Sequence, residues 1–267
     1  RARLERVPAV LKRFRQAVLA AATSGRLTVE WREENPAGAT TTEVTILLQE
    51  KYGVDLFDHS NEDTIAFGGG DLPSEWLTIP IRAVGEVYLG RQRSPENHVG
   101  PNMRPYMRAA NITWRGWDLS DVKEMNFDAR DFARYQLRDG DVLLGEGSGS
   151  ADEVGKPAIW RGAIPGCCFQ NTLICVRPHF ANSEYLYYVF LHAALSKMFV
   201  AGARGVNIHH IGKDRFSAFL IPFPSLAEQH EIVRRVEALF AHADRLEARY
   251  AAAREQVEQL APSLLAK

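Results

Sequence analysis

Ile221-Pro-Phe-Pro-Ser225-Leu226-Ala-Glu228-Gln229-His-Glu-Ile232-Val-Arg-Arg-Val236-Glu-Ala-Leu239-Phe240 is the stretch from which the rest of the chain can be read. Pro222 and Pro224 lack a backbone N–H and push the preceding residues toward extended backbone, so nothing helical crosses them. Ser225 followed by Glu228 has the spacing of a capping box and places a helix start here. Apolar residues then recur in alternating steps of four and three: Ile232, Val236, Leu239, Ala243, Leu246, Tyr250, Ala253, Val257, Leu260 and Leu264. That alternation is the seam of a coiled coil. Over about 33 residues at about 1.5 Å each, it predicts a rod of roughly 50 Å. Two arrangements remain open: a coiled coil with another segment or chain, and a single helix lying on its own domain.

A second seam opens the chain. Leu4, Val7, Leu11, Phe14, Val18 and Ala21 are spaced 3,4,3,4,3. Pro8 predicts a kink or a late start, and Gly25 is placed to end the helix in the left-handed conformation. Residues 1–32 hold eight Lys or Arg against two Asp or Glu, whereas residues 226–260 hold five against seven, so charge favours pairing of the two helices. The net charge of −1 argues by itself against a nucleic-acid binder. Its distribution reverses that argument. Residues 33–79 carry one Lys against ten acids and conceal a basic start and a mildly basic middle, where residues 80–225 hold seventeen against fourteen.

The texture between the helices predicts an α+β chain: a β-rich domain flanked by long coiled-coil helices. Residues 1–25 are the first helix, 26–75 a connector, 76–223 the domain and 224–267 the terminal helix. In the connector, Thr40-Thr-Thr-Glu43 caps a short helix ending at Gly53, and Gly68-Gly-Gly70 reads as a turn. In the domain, short runs such as 86–89, 141–144, 158–160 and 172–176 are separated by Gly, Pro and Asp and read as strands. One helix, 183–200, rich in Tyr, Phe and Leu, interrupts them. No apolar run approaches the roughly 20 residues that span a bilayer, no secretory leader pattern opens the residues, and Arg1 in place of Met reads as an excised piece or a renumbered one. The adjacent Cys167 and Cys168 with Cys175 form no disulfide framework and predict a reducing cytoplasm.

Several motifs suggest chemistry and fall short of it. Phe67-Gly-Gly-Gly-Asp71 is similar to the glycine-rich loop of S-adenosylmethionine methyltransferases but has the wrong spacing, and no Asn/Asp-Pro-Pro-Tyr/Phe follows. Asp141 with Glu153 and Lys156 suggests a metal-dependent nuclease. That site needs Glu-x-Lys on one strand face, and here the spacing is Glu-x-x-Lys. Gly145-x-Gly147-x-Gly149 lacks the rest of a dinucleotide fingerprint and reads as a tight turn or a backbone approach to phosphate. His209-His210 and the cysteines lack metal-ligand spacing and read as core or loop residues.

Three loops differ. Gly90-Arg91-Gln92-Arg93-Ser94-Pro95 puts two guanidiniums and an amide in one turn, and Arg and Gln are the side chains that hydrogen-bond guanine and adenine edges in pairs. The loop 147–156 is small and polar, carries Ser148 and Ser150, and ends in Lys156. The loop 202–210 combines Gly with Arg204, Asn207, His209 and His210. Each alone is an ordinary solvated loop; three on one β-rich domain between rigid helices point to groove binding.

Ile221-Pro-Phe-Pro-Ser-Leu226-Ala-Glu-Gln229 resembles the strand-to-helix junction of type I restriction–modification specificity subunits, which reads much like Pro-Leu-Pro-Pro-Leu-x-Glu-Gln. The segment 11–27 looks like the end of that family's central conserved helix. Pro105-Tyr-Met-Arg-Ala-Ala-Asn111-Ile, Asp139-Gly-Asp141-Val-Leu-Leu and Gly205-Val-Asn-Ile look like landmarks of its target-recognition domain. A full family member has two such domains and two conserved helical regions, so the chain resembles the C-terminal half.

The resemblance implies a division of labour. This chain reads double-stranded DNA and catalyses nothing. Partner modification subunits bind S-adenosylmethionine and methylate adenine, and a motor subunit, reached indirectly and using ATP, cuts. The expected DNA contacts are Arg91, Gln92, Arg93, Ser94, Ser148, Ser150, Lys156, Arg204, Asn207, His209 and His210. The expected partner or dimer contacts are Phe14, Arg15, Leu239, Leu246, Tyr250 and Val257. A second copy paired along the terminal seam is expected to give an interrupted palindromic target. The competing readings are a divergent methyltransferase or nuclease fragment, and a scaffold without DNA contact.

Overall fold

The computed structural model describes residues 4–53, 67, 71–148, 150–200 and 209–265. Its frame is the pair of long helices. The first runs Val7–Thr23, with Pro8 in the opening turn, where the missing N–H has no helical acceptor to lose. Gly25 follows at φ 75°, and a Cβ there would overlap the Pro73 ring. The terminal helix runs Leu226–Leu265. The two pack antiparallel: Arg15 bonds Asp244 at 2.6 Å and Glu247 at 2.8 Å, and Arg235 donates to the Leu27 carbonyl at 2.8 Å. Leu11 and Val18 are buried with Ile232, Val236 and Ala243, as the two seams require. Each such aliphatic side chain removed from water contributes about 1.5–3 kcal/mol.

The seams meet only in part. Leu246 and Val257 remain 39% and 41% exposed, because the first helix starts at Val7 and is far shorter than the terminal one. Phe14 packs against the main core and Arg15 is held by the terminal helix. Both were expected to contact a partner or a second copy; the contacts described for them lie within the chain.

The junction quoted at the outset forms the root of the domain. Strand Leu77–Pro80 pairs antiparallel with Leu220–Phe223, so the domain begins and ends side by side. Ser225 accepts the Glu228 N–H at 3.1 Å, which is one half of the expected capping box. The other half is absent. Fully buried, the Glu228 carboxylate instead accepts from Thr28 Oγ1 at 2.6 Å, from Trp76 Nε1 at 2.8 Å and from Arg32. Those donors come from the connector and the domain edge, and away from water they need an acceptor more than the first turn does. Gln229 accepts the Asn182 N–H at 2.8 Å and donates to the Pro224 carbonyl at 3.0 Å. The adjacent Glu and Gln thus tie helix, connector and domain together.

The connector is packed rather than free where it is described: Thr28 and Leu48 are buried. The helix expected before Gly53 spans Thr42–Tyr52. The turn at residues 68–70 lies outside the described residues.

The domain is built on a four-stranded antiparallel sheet in the order Gly85–Leu89, Leu173–Pro178, Val142–Gly145, Pro157–Ile159. These match the four expected strands within a residue or two at each end. A three-stranded sheet joins Cys168–Phe169, Met103–Met107 and Lys123–Asn126. The expected aromatic helix spans Ser183–Leu195 and is shorter than the sequence suggested: Ser196 ends it, Lys197 turns at φ 57°, and Met198–Val200 continue as a single 3-10 turn. Its Tyr185, Leu186, Val189, Phe190 and Ala193 are fully buried and join sheet and long helices in one core. All three cysteines are free and buried, and burial lifts the Cys167 and Cys168 thiols to about 12. No helix among the described residues is long and apolar enough to cross a membrane.

Candidate nucleic-acid interface

One end of the four-stranded sheet gathers the polar loops. The register pairs Leu89 with Ile174, Gly145 with Leu173 and Leu144 with Pro157. Two strands therefore leave, and two begin, at the same end, and the segments 90–94, 146–156 and 170–172 all lie there. They are laced by backbone hydrogen bonds: Arg91 N to Phe169 O at 3.0 Å, Asn171 N to Arg91 O at 3.0 Å, and Glu146 N to Thr172 O at 2.9 Å. Gly90 is needed for this approach, since a Cβ would sit 2.4 Å from the Gln170 backbone. The third loop joins the cluster through His209 and His210, which pair with Ser148 and Gly147, and through Ile211 N to Glu146 O at 2.9 Å. Segments 90–94 and 146–148, with His209 and His210, thus share one end of one sheet although they are far apart in sequence.

The side chains divide into free and committed. Arg91 is committed: it bonds Asp131 at 2.7 Å, Asn97 Oδ1 at 2.9 Å and the Asn126 carbonyl, and lies 5.2 Å from the centre of the Phe127 ring. A guanidinium so held braces the loop, unlike the side chains of its neighbours Gln92 and Arg93. Ser94 is likewise engaged locally, donating to Glu96 at 2.9 Å and accepting from Asn97 at 2.8 Å. Lys156 is paired with Glu153, which also accepts from Trp114 Nε1 at 3.2 Å. Gln92 and Arg93 are exposed, and among the described residues neither side chain has a hydrogen bond or ion pair. Ser150 is exposed and engaged, and His210 is exposed. His210 faces Glu146, whose carboxyl burial holds above its ordinary pKa against the pull of that imidazole. Ser148 and His209 are placed by their backbone pairing alone, and Arg204 and Asn207 lie outside the described residues.

Sequence reasoning missed part of this cluster. Gln170, Thr172, Arg108 and Lys123 line an open pocket of about 280 Å³ together with Arg93, Tyr106, Ala109 and Ala110. The polar tripeptide Gln170-Asn171-Thr172 between apolar runs was the available signal; it reads as an ordinary turn until its pairing with Arg91 is known.

Of the groups that suggested catalysis, Asp141 is structural. Asp141 is buried and accepts both bonds of a fork from Arg177, at 2.8 and 2.7 Å, together with the Arg138 N–H at 2.8 Å. Burial is the largest influence and opposes the Arg177 charge, but the bond to Asp141 and the charges of Asp141, Tyr88 and Cys175 together outweigh it and raise the guanidinium pKa. No cluster of His, Cys, Asp or Glu among the described residues could hold a metal ion. Of the sequence landmarks, Asn111 is buried and closes the turn after Met103–Met107: it accepts from Arg108 N at 3.2 Å and donates to the Asp118 and Asp121 carbonyls at 3.0 and 3.1 Å.

A domain that gathers polar loops at one end of a sheet and is rooted on a helical rod is a binding module carried by a spacer. The chain belongs to the family of the type I restriction modification DNA specificity domain, whose profile matches residues 73–254. It is 29% identical over 276 residues to the EcoKI specificity subunit of Escherichia coli K12 and 30% identical over 283 residues to the EcoBI specificity subunit of Escherichia coli. Both alignments cover the whole chain, which spans about half the length of these relatives, 50% and 51%. Among solved structures, a chain from a study of type I R-M complex assembly and conformational transition overlays 96% of it at a TM-score of 0.55 and 20% identity, covering 55% of that chain. The HsdS subunit of Thermoanaerobacter tengcongensis overlays 97% at 0.51 and 21% identity, also covering 55%. These likenesses confirm the α+β fold with flanking helices.

Proposed function

We propose that the chain is a DNA-sequence-reading element of a type I restriction–modification enzyme, and that it acts by positioning partners rather than by chemistry. The observation that carries the reading is the convergence of the three loops at one sheet end in a chain of this family. Exposed Arg and Gln side chains there suit the major-groove edges of guanine and adenine. Backbone N–H groups and further cations suit phosphates, which orient the domain without specifying sequence.

In this reading the modification subunits supply S-adenosylmethionine and the methyl-transfer site, the restriction subunit uses ATP and engages indirectly, and the chain needs no cofactor of its own. The exposed part of the terminal seam, from Leu246 through Tyr250 to Val257, pairs with an equivalent seam. In a protein of these residues alone, that seam belongs to a second copy. A twofold pair places two identical domains at opposite ends of a rod and reads an interrupted palindrome.

The test is binding by the protein, assembled with its modification subunits, to a randomised DNA pool over a range of salt concentrations. A recovered consensus, with the logarithm of affinity falling linearly with the logarithm of salt concentration, is the expected result. Salt-dependent binding with no recovered consensus, or no DNA binding, overturns the reading.

A further inference from the structure

The pocket lined by Arg93, Arg108, Lys123, Gln170 and Thr172 combines a concave shape with uncommitted hydrogen-bonding groups. Tyr106, fully buried, is among its lining residues. Thr172 is fixed, its Oγ1 accepting the Ala109 N–H at 3.0 Å. Lys123 and Arg108 are both held by Asp121, at 2.6 Å each, leaving three cations against one carboxylate. The Arg108 Nε–H is buried with no acceptor among the described residues. The Arg93 guanidinium and the Gln170 amide have no hydrogen-bond partner among the described residues, although the backbone on either side of both is pinned. Gln170 N donates to the Met107 carbonyl at 2.9 Å, and Arg91, two residues before Arg93, is braced on every side. The side chains are therefore free while their roots are rigid, as sequence readout requires.

Resting on the specificity reading above, we propose that this pocket receives the N7-bearing major-groove edge of purines in duplex DNA, and that Gln170, with Arg93, determines specificity. Arg93 suits O6 and N7 of guanine, and Gln170 suits N6 and N7 of adenine, each by paired hydrogen bonds. Arg108 and Lys123, tethered by Asp121, form the positive wall along which the phosphates run. Arg91 is a positioning residue that holds Arg93 in place and touches no base.

The experiment uses the subunit in its assembled enzyme and reads relative binding across DNAs randomised at the recovered site. Arg93→Ala and Gln170→Ala should each flatten discrimination at a purine position by about 5- to 150-fold, the range a paired base contact is worth, with the other positions and the salt slope retained. Gln170→Glu, which keeps size and backbone, should shift preference at its position toward cytosine, whose N4 amine suits a carboxylate. Lys123→Ala should weaken all sequences alike and reduce the salt slope by about one. The proposal is overturned if Arg93→Ala and Gln170→Ala both leave every preference unchanged, or if they lower affinity uniformly, as phosphate contacts would. A wild-type enzyme that selects no sequence at all overturns the underlying specificity reading instead.

Discussion

Asp141 shows how the same residue reads differently before and after its neighbours are known. A buried carboxylate is tolerated only when paired and fully hydrogen-bonded, and Arg177 with the Arg138 N–H meets both conditions. Breaking the pair should therefore be costly. Asp141→Ala is expected to lower stability by about 3–5 kcal/mol in urea unfolding, because it strands the Arg177 charge. The double variant Asp141→Leu with Arg177→Met should recover most of that loss, and equal destabilisation of single and double variants would contradict the pairing argument. The sequence exposed Asp141 and Arg177 as residue types but not as partners, since they lie 36 positions apart. The same limit hid the difference between Arg91 and Arg93. Two guanidiniums in one turn look alike until Asn97 and Asn126, 6 and 35 positions away, are brought to one of them. Gln170 was invisible for the converse reason: an amide in a short turn has no pattern of its own, and only strand pairing places it beside Arg93.

Elements were far more legible than contacts, because periodicity is a local property. The terminal seam, the stop at Gly25, the helix ending at Gly53 and the four central strands all follow from spacing, caps and turn residues within a few positions of each other. The short pair Leu77–Pro80 with Leu220–Phe223 was not legible; four residues are too few to show a period, and their pairing joins the two ends of the domain. What the first helix leaves uncovered leads to a prediction at this scale. Leu246, 39% exposed on a 40-residue helix, should be buried by a second seam. Leu246→Asp is expected to convert a dimer of this chain to monomer in sedimentation at micromolar concentration and to weaken DNA binding with it, while helix content is retained. A wild-type monomer with an intact helix would mean that the remaining seam stays single.

For the molecule as a whole, the domain and the rod meet at one root, where Glu228 and Gln229 bond the connector, the domain edge and the helix start. The sequence identified Ser225 and Glu228 as a cap, but only half of that cap forms, because Thr28, Arg32 and Trp76 converge on the same carboxylate. In the proposed reading, a rigid root sets the loops at a fixed place along a duplex, so that the domain would carry the sequence information and the helices the spacing. The paired strands at the root put the two ends of the domain side by side, which makes them natural junctions for an exchange. The central claim is that residues 77–223 choose the DNA sequence. It is tested most directly by replacing them with the matching stretch of the EcoKI specificity subunit, keeping the helices, and mapping the bases methylated by the assembled enzyme. The motif should change to the one that the exchanged domain selects in its parent. A folded, active chimera that still methylates the original motif would contradict the claim.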